Sequence, residues 1–247
     1  MKKIITFISI LLISSTLFSQ KIILIDYDTE TGVIKDMFGG NKGGEDEKAK
    51  PFLDEIGIKD IRIHDYHKDG GDYYFYTDFW NKNTDGSFID INTSFDPANP
   101  SHYHWQKTDN IVEKIINNNF SVYFRLGTSF PNPQYILQPQ YPPSNTGGAS
   151  TDFSKFAQLA TNTVKHYNNG WNNGFHYNIE YWEIWNEPGG LFWKGNPVQF
   201  REMYKAVSTA IKRDSPDVKV GALGAVFTTT LGVNTVYREG FIEYCHK

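Results

Sequence analysis

The feature that most constrains this chain is a repeated alternation. An apolar run of strand length opens into a long irregular segment, then a helical pattern, then a short turn into the next apolar run. Such runs are Ile58 to His64 (IKDIRIH), Phe120 to Leu126 (FSVYFRL), Ile179 to Trp185 (IEYWEIW) and Val218 to Val226 (VKVGALGAV). Helical spacing is expected over Tyr103 to Asn118, over Asp152 to Tyr167 with Thr151 or Asp152 as cap, over Pro197 to Arg213, and from Val233 onward. Strands alternating with helices mean a parallel sheet with helical crossovers. Long segments follow strands and short turns precede them, so the elaborate loops gather at the C-terminal ends of the strands. In a (β/α) barrel that is the face where catalytic groups sit. A doubly wound sheet shares the alternation, but no dinucleotide fingerprint follows the first strand.

The expected fold is therefore α/β, a (β/α)8 TIM barrel. About five of its eight units are present, so the barrel is expected to be C-terminally incomplete in this sequence. Before the first clear unit, Lys21 to Tyr27 (KIILIDY) reads as a strand and Gly32 to Phe38 as a second extended piece. The glycines from Gly39 to Gly44 read as turn formers, because no Gly-Lys-Ser/Thr ending follows them. Glu45 to Ile56 reads as helical, with Pro51 as an irregularity or a new start and Gly57 as the stop.

Lys2 and Lys3 precede an apolar run from Ile4 to Phe18, followed by Ser19. A positive start, a short apolar stretch and a small residue describe a secretory signal peptide, assigned to residues 1–20. An uncleaved N-terminal anchor is the alternative. Residues 21–247 would then be the N-terminal part of a catalytic domain working outside the cytoplasm (periplasmic, secreted or cell-surface), with no membrane span after cleavage. Cys245 is the single cysteine, which excludes an internal disulfide framework and multi-cysteine metal sites. With 24 basic and 28 acidic residues the net charge is −4, which argues against nucleic acid as the main partner. Nothing in the sequence specifies an oligomeric state. The aromatic content of 16% is more than most cores need, so some rings can face a ligand.

The most informative stretch is Tyr181-Trp182-Glu183-Ile184-Trp185-Asn186-Glu187-Pro188. A strand runs into Asn-Glu-Pro, and Pro188 forbids its continuation. Glu187 is thus expected at the C-terminal lip, its carboxyl among Trp182, Trp185 and Trp193. Desolvation there would favour the protonated form, suited to giving a proton to a departing sugar oxygen. Asn186, able to donate and accept, suits a hydroxyl beside the reacting carbon. Glu183 shares strand parity with Glu187 and reads as a structural polar group inside the barrel rather than a second catalyst.

This stretch resembles the fourth-strand signature of the retaining (β/α)8 glycoside hydrolases, and most closely glycoside hydrolase family 39, the β-xylosidases and α-L-iduronidases. The resemblance rests on YWEIWNEPGGLFWKGN at 181–196, on YKAVSTAIKRDSPDVKVG at 204–221, on the Arg62-x-His64 pair, and on Tyr103 to Pro131 with Asp109. It implies a retaining O-glycoside hydrolase, β-xylosidase-like, acting on glycosides derived from polysaccharides or oligosaccharides without a cofactor. By the resemblance, Glu187 is the general acid/base and Asn186 holds the 2-hydroxyl. Arg62 orients the nucleophilic carboxylate and His64 binds a hydroxyl. Trp193, expected beside the Glu187 carboxyl, is a further substrate-binding candidate read from its place rather than from the resemblance. The nucleophile, a Glu on the seventh strand, has no counterpart here, so this chain alone is expected to be inactive. Residues after His64 (DYHKDGGDYY) and Gly189-Gly190 depart from the family pattern.

A non-catalytic carbohydrate-binding protein on a degenerate barrel is the alternative function. A metal-dependent hydrolase using His64, His67, His102 and His104 is a third reading, but no further ligands are evident and no metal is expected. The cluster of Tyr73, Tyr74, Phe75, Tyr76, Phe79 and Trp80 reads equally as a self-packed loop or as a sugar-stacking wall.

Overall fold

The computed structural model describes residues 32, 39–63, 76–82, 88–127, 153–188, 192–193, 195–222 and 233–246. The chain divides into two units, Met1–Met37 and Phe38–Lys247, and every element named below belongs to the second. The leader and the strand expected at 21–27 lie outside the described residues, as do Thr151 and Asp152.

Five strands form one parallel sheet: β1 (Gly39–Asn41), β2 (Asp60–Ile63), β5 (Ser121–Leu126), β6 (Tyr181–Ile184) and β7 (Lys219–Ala222), in the order β1-β2-β5-β6-β7. A short antiparallel pair, β3 (Trp80–Lys82) with β4 (Phe88–Ile91), lies in the excursion after β2. The helices are α1 (Lys50–Glu55), α2 (Gln106–Asn117), α3 (Ser154–Asn169), α4 (Pro197–Asp214) and α5 (Val233–His246). Each new strand of the main sheet joins the same advancing edge. Right-handed crossovers then put the connecting helices on one face, as in a barrel wall, whereas a doubly wound sheet reverses direction.

Two expectations change here. Gly39–Asn41, read as a turn, pairs with Asp60–Arg62 as the edge strand. The segment after β2, read as irregular, holds the β3–β4 pair.

Period-two alternation gives the sheet two unlike faces. Ile61, Ile63, Val122, Phe124, Leu126, Trp182 and Ile184 are buried in the core with the helices. Trp182 stacks on Phe124 at 4.9 Å and its indole N–H donates to Ile179 O. The register that pairs Arg62 with Tyr123, Tyr123 with Tyr181, and Arg125 with Glu183 gathers polar groups on the other face.

Helix α4 buries Phe200, Met203, Val207 and Ile211 at three- and four-residue spacing. Its start is fixed by Pro197 and by a capping box in which Asn196 and Gln199 exchange side chain-to-backbone hydrogen bonds. Helices α2 and α3 are joined by a buried cluster. The Tyr167 hydroxyl donates to Asp109 Oδ1 at 2.9 Å, His166 Nε2 lies 3.0 Å from the same oxygen, and Trp105 stacks on the His166 ring at 3.8 Å. His102 and His104 do not converge on a common point. His102 Nδ1 accepts from the Asp96 N–H, and His104 Nε2 pairs with Asp78 at 2.8 Å. No helix among the described residues is long and apolar enough to cross a membrane.

Helix α3 ends at Gly170 in the left-handed region, φ 73°. Just before that stop, Asn168 grips the backbone leading into β6. Its Oδ1 accepts from the Ile179 N–H at 2.7 Å and its Nδ2 donates to Ile179 O at 2.9 Å. Asn168→Ala leaves the Ile179 N–H without its acceptor, while Ile179 O keeps the Trp182 indole, and is expected to cost about 2 kcal/mol. Asn196→Ala removes an exposed cap and should cost about 1 kcal/mol. Urea unfolding of the two variants checks this order, and an Asn168 variant as stable as the parent would show that the grip contributes nothing.

Candidate active site

The polar face of the sheet carries a charged network. Arg62, in the middle of β2, donates from Nε to Glu183 Oε2 at 2.5 Å and from Nη2 to Asn186 Oδ1 at 2.8 Å. Its Nη1 lies 3.3 Å from Asn41 Oδ1 at the end of β1. Glu183 and Asn186 are buried, 3% and 1% exposed. Arg125, opposite Glu183 in the strand register, is 1% exposed. A cavity of about 390 Å³ opens beside them, lined in part by Asn41, Asp60, Arg62, Tyr123 and Glu183. The Tyr123 phenol is pushed up to about 12, first by burial and then by the nearby Glu183 carboxylate, which the Arg62 charge partly offsets.

What brings Asn186 into this network is the backbone after β6. Regular alternation would put Asn186 on the helix face, with Ile184. Instead Trp185 adopts φ 68° and Glu187 φ 40°, both in the left-handed region that side chains other than glycine rarely occupy. The Trp185 N–H still bonds to Leu126 O at 2.7 Å. Its ring packs against Phe156 of α3 at 6.0 Å and Trp193 at 5.3 Å, and its indole N–H donates to Phe192 O at 2.7 Å. Gly127, φ 111°, makes room for that ring; a Cβ there would stand 2.6 Å from Trp185 Cε3.

The structure thus unites Arg62 and Asn186, two of the residues singled out in the sequence. Glu187 follows Asn186 directly, half-buried at the C-terminal end of β6. Glu183 is the structural polar group expected, paired with Arg62. His64 lies outside the described residues. Trp193 does not take the substrate-facing place expected of it. At 4% exposed it is wedged between Trp185 and Phe200, a packing role that leaves little of the ring to offer. Trp182 is likewise on the helix side, so neither ring walls Glu187 from inside the sheet. Two members of the aromatic cluster, Tyr76 and Phe79, are core residues as well: Tyr76 stacks on Trp105, and Phe79 meets Phe95 edge-on. Tyr73, Tyr74 and Phe75 lie outside the described residues.

Sequence reasoning missed Arg125 and Gly127. A signal for Arg125 was present, because a charge inside the apolar run FSVYFRL has to find partners if both faces of the strand are covered.

Among solved structures, the chain is similar to a glucosidase from Croceicoccus marinus. Identity is 28% and the TM-score 0.58, over 79% of this chain and 36% of the glucosidase. The chain therefore spans about a third of that protein's length. It is also similar in fold to a GH39 β-xylosidase from Caulobacter crescentus (18% identity, TM-score 0.48, covering 82% of this chain and 43% of that one). A GH39 enzyme from Xanthomonas axonopodis pv. citri gives 19% identity and TM-score 0.48, over 85% of this chain and 40% of that one. No family model matches the chain, and neither does any curated protein.

Gly127→Ala is expected to destabilise the fold by about 1–3 kcal/mol, since the new Cβ meets both the positive φ and the Trp185 ring. Near-ultraviolet circular dichroism should change with it; an unchanged tryptophan signal and unchanged stability would refute the contact. A second expectation concerns alkaline pH. Burial, first among the causes, raises the phenols of Tyr103, Tyr123 and Tyr167 above their ordinary value of 10.0. Below pH 10 folded and unfolded chains both hold these protons. Between about 10 and about 12, the window set by Tyr123, the unfolded chain releases protons that the folded chain keeps, so stability falls as pH rises. Denaturation followed at pH 9, 10 and 11 checks the slope, and a flat profile would contradict it.

Proposed function

We propose that this protein is a retaining O-glycoside hydrolase on a (β/α)8 barrel of the GH39 type, with Glu187 as its general acid/base. The observation that carries the reading is the turn out of β6. There Asn186 is held by Arg62 on the polar side of the sheet, and Glu187 comes next in the chain at the strand end. The likeness to the Croceicoccus marinus glucosidase supports the same class of chemistry.

In the reaction proposed, the carboxylic acid of Glu187 gives its proton to the glycosidic oxygen as the C–O bond breaks. A second carboxylate, on the seventh strand by resemblance to the family, attacks the anomeric carbon and forms a glycosyl ester. The leaving sugar or alcohol departs neutral. Glu187, now ionised, takes a proton from water as that water displaces the ester carboxylate, which restores both groups. Asn186 faces the hydroxyl on the carbon beside the reacting centre, and His64, next after β2, binds a hydroxyl of the same sugar. No cofactor takes part. The substrate class is a glycoside derived from a polysaccharide or oligosaccharide, xylosides and glucosides being the first candidates. The protein works outside the cytoplasm, with residues 1–20 as its leader.

The test compares aryl glycosides in the full-length protein. Glu187→Gln is expected to lose about 10³-fold in rate on substrates with poor leaving groups, within the range a general acid supplies. Substrates with good leaving groups should keep a fast first step, because they need no proton. Equal loss on both series would reject the acid role. Binding of sugars by the parent protein with no turnover would favour the carbohydrate-binding alternative.

A further inference from the structure

We propose that the cleft between α2 and the turn after α3 binds a neutral, hydroxyl-rich ligand, a short stretch of oligosaccharide. It is separate from the cavity beside Arg62, and no residue lines both. Its volume is about 420 Å³, within the ~300–1,000 Å³ span of small-molecule sites.

One bank is the start of α2, from Gln106 to Glu113, and the other is the turn that carries Asn173 and Phe175. His166 sets the distance between them. Its Nε2 lies 3.0 Å from Asp109 Oδ1 on the first bank, and its Nδ1 lies 2.9 Å from Trp171 O at the root of the second. The Phe175 N–H bonds to His166 O at 2.6 Å. Gly174 is so close to that carbonyl that a Cβ would stand 2.0 Å from the oxygen. Banks held in this way need little ordering when a ligand arrives.

The close contacts of the Asp109 carboxylate, with His166 and with the Tyr167 hydroxyl, both fall on Oδ1. Oδ2 has no hydrogen-bond partner among the described residues, and the side chain is 19% exposed. It is an acceptor fixed in direction and left open. The side chains of Gln106, Asn110, Glu113 and Asn173 likewise make no hydrogen bond among the described residues. Asp109 and Glu113 repel each other one turn apart on α2, and hydroxyls donating to both relieve that repulsion. Carboxylates only accept, whereas amides both donate and accept, as a hydroxyl does. The lining holds no lysine or arginine, so nothing in it answers a phosphate, a sulfate or a carboxylate. A cation fits less well, because His166 already lies on Asp109 and the amides carry no charge. Phe175 offers only a ring edge, its faces being covered by Tyr177 at 4.6 Å and Tyr167 at 6.0 Å. Binding here is therefore led by hydroxyls rather than by stacking.

On a glycosidase such a cleft holds a sugar chain near the enzyme without touching the reacting bond, which raises its effective concentration. That consequence rests on the hydrolase reading; the binding itself does not.

The experiment titrates the full-length protein with xylohexaose and, separately, with cellohexaose, and follows the indole N–H resonance of Trp105 by NMR. Trp105 lines the cleft, and its N–H is buried without an acceptor, so no existing bond masks a change beside it. The resonance is expected to shift and saturate with at least one of the two sugars. The double variant Asn110→Ala, Asn173→Gly removes two exposed side chains, and glycine keeps the left-handed φ of 57° at 173. It should bind about 10-fold more weakly, the scale of one or two hydrogen bonds, while its kcat/KM on aryl glycosides stays that of the parent. No shift with either sugar at the limit of solubility would overturn the proposal, as would undiminished binding by the double variant. A response to spermidine and to neither sugar would also overturn it, making the cleft a cation site. Binding as expected by a protein that hydrolyses no glycoside would uphold the cleft and reject the hydrolase reading.

Discussion

A single ion pair organises the polar side of this sheet. Arg62 and Glu183 come from strands separated by β5, and their side chains meet above Tyr123. Both charges are largely withdrawn from water. Removing one partner of such a pair costs about 3–5 kcal/mol, whereas a well-packed apolar pair could replace both without loss. What the ions add is direction. An apolar contact tolerates rotation, but a guanidinium held at Nε points its remaining donors along fixed lines, and one of those lines ends on Asn186.

That arrangement would be out of reach of a regular strand. The left-handed step at Trp185 changes the phase of the chain, so that Asn186 rejoins the face that Glu183 occupies three residues earlier. A left-handed conformation at a residue with a Cβ costs about 1–2 kcal/mol. The compensation lies on the far side of the sheet. The Trp185 ring occupies the space left by the missing side chain of Gly127, leans on Phe156 and Trp193, and bonds to Phe192 O. Aromatic packing in the helix layer thus holds a strained backbone whose product is a polar contact inside the sheet.

Much of this was legible in the sequence because it follows from periodicity. The runs at 60–63, 121–126 and 181–184 alternate as strands must, and α2, α3 and α4 carry apolar residues at helical spacing. The edge strand at Gly39–Asn41 was hidden, because glycine and asparagine have no strand preference and only pairing with β2 makes them one. Parity placed Glu183 on the polar face correctly, but it failed one residue past Ile184, where φ changes sign. Trp193 looked available to a ligand for a different reason: nothing in a sequence distinguishes a ring that faces a sugar from one that supports its neighbour. The Asp109–His166 contact joins residues 57 apart and has no local signature.

The support of Trp185 by Phe156, and of Trp193 by Phe200, has a bearing on how such walls can be recombined. Both phenylalanines belong to helices, while Trp185 stands at the end of β6 and Trp193 in the segment leading to α4. A chimaera that exchanges α3 or α4 for the equivalent helix of a similar protein, keeping every strand and loop, would still shift the acidic tip of β6. The unit of inheritance for this site is therefore a strand together with the helices behind it, and breakpoints drawn between layers would separate a group from the ring that aims it.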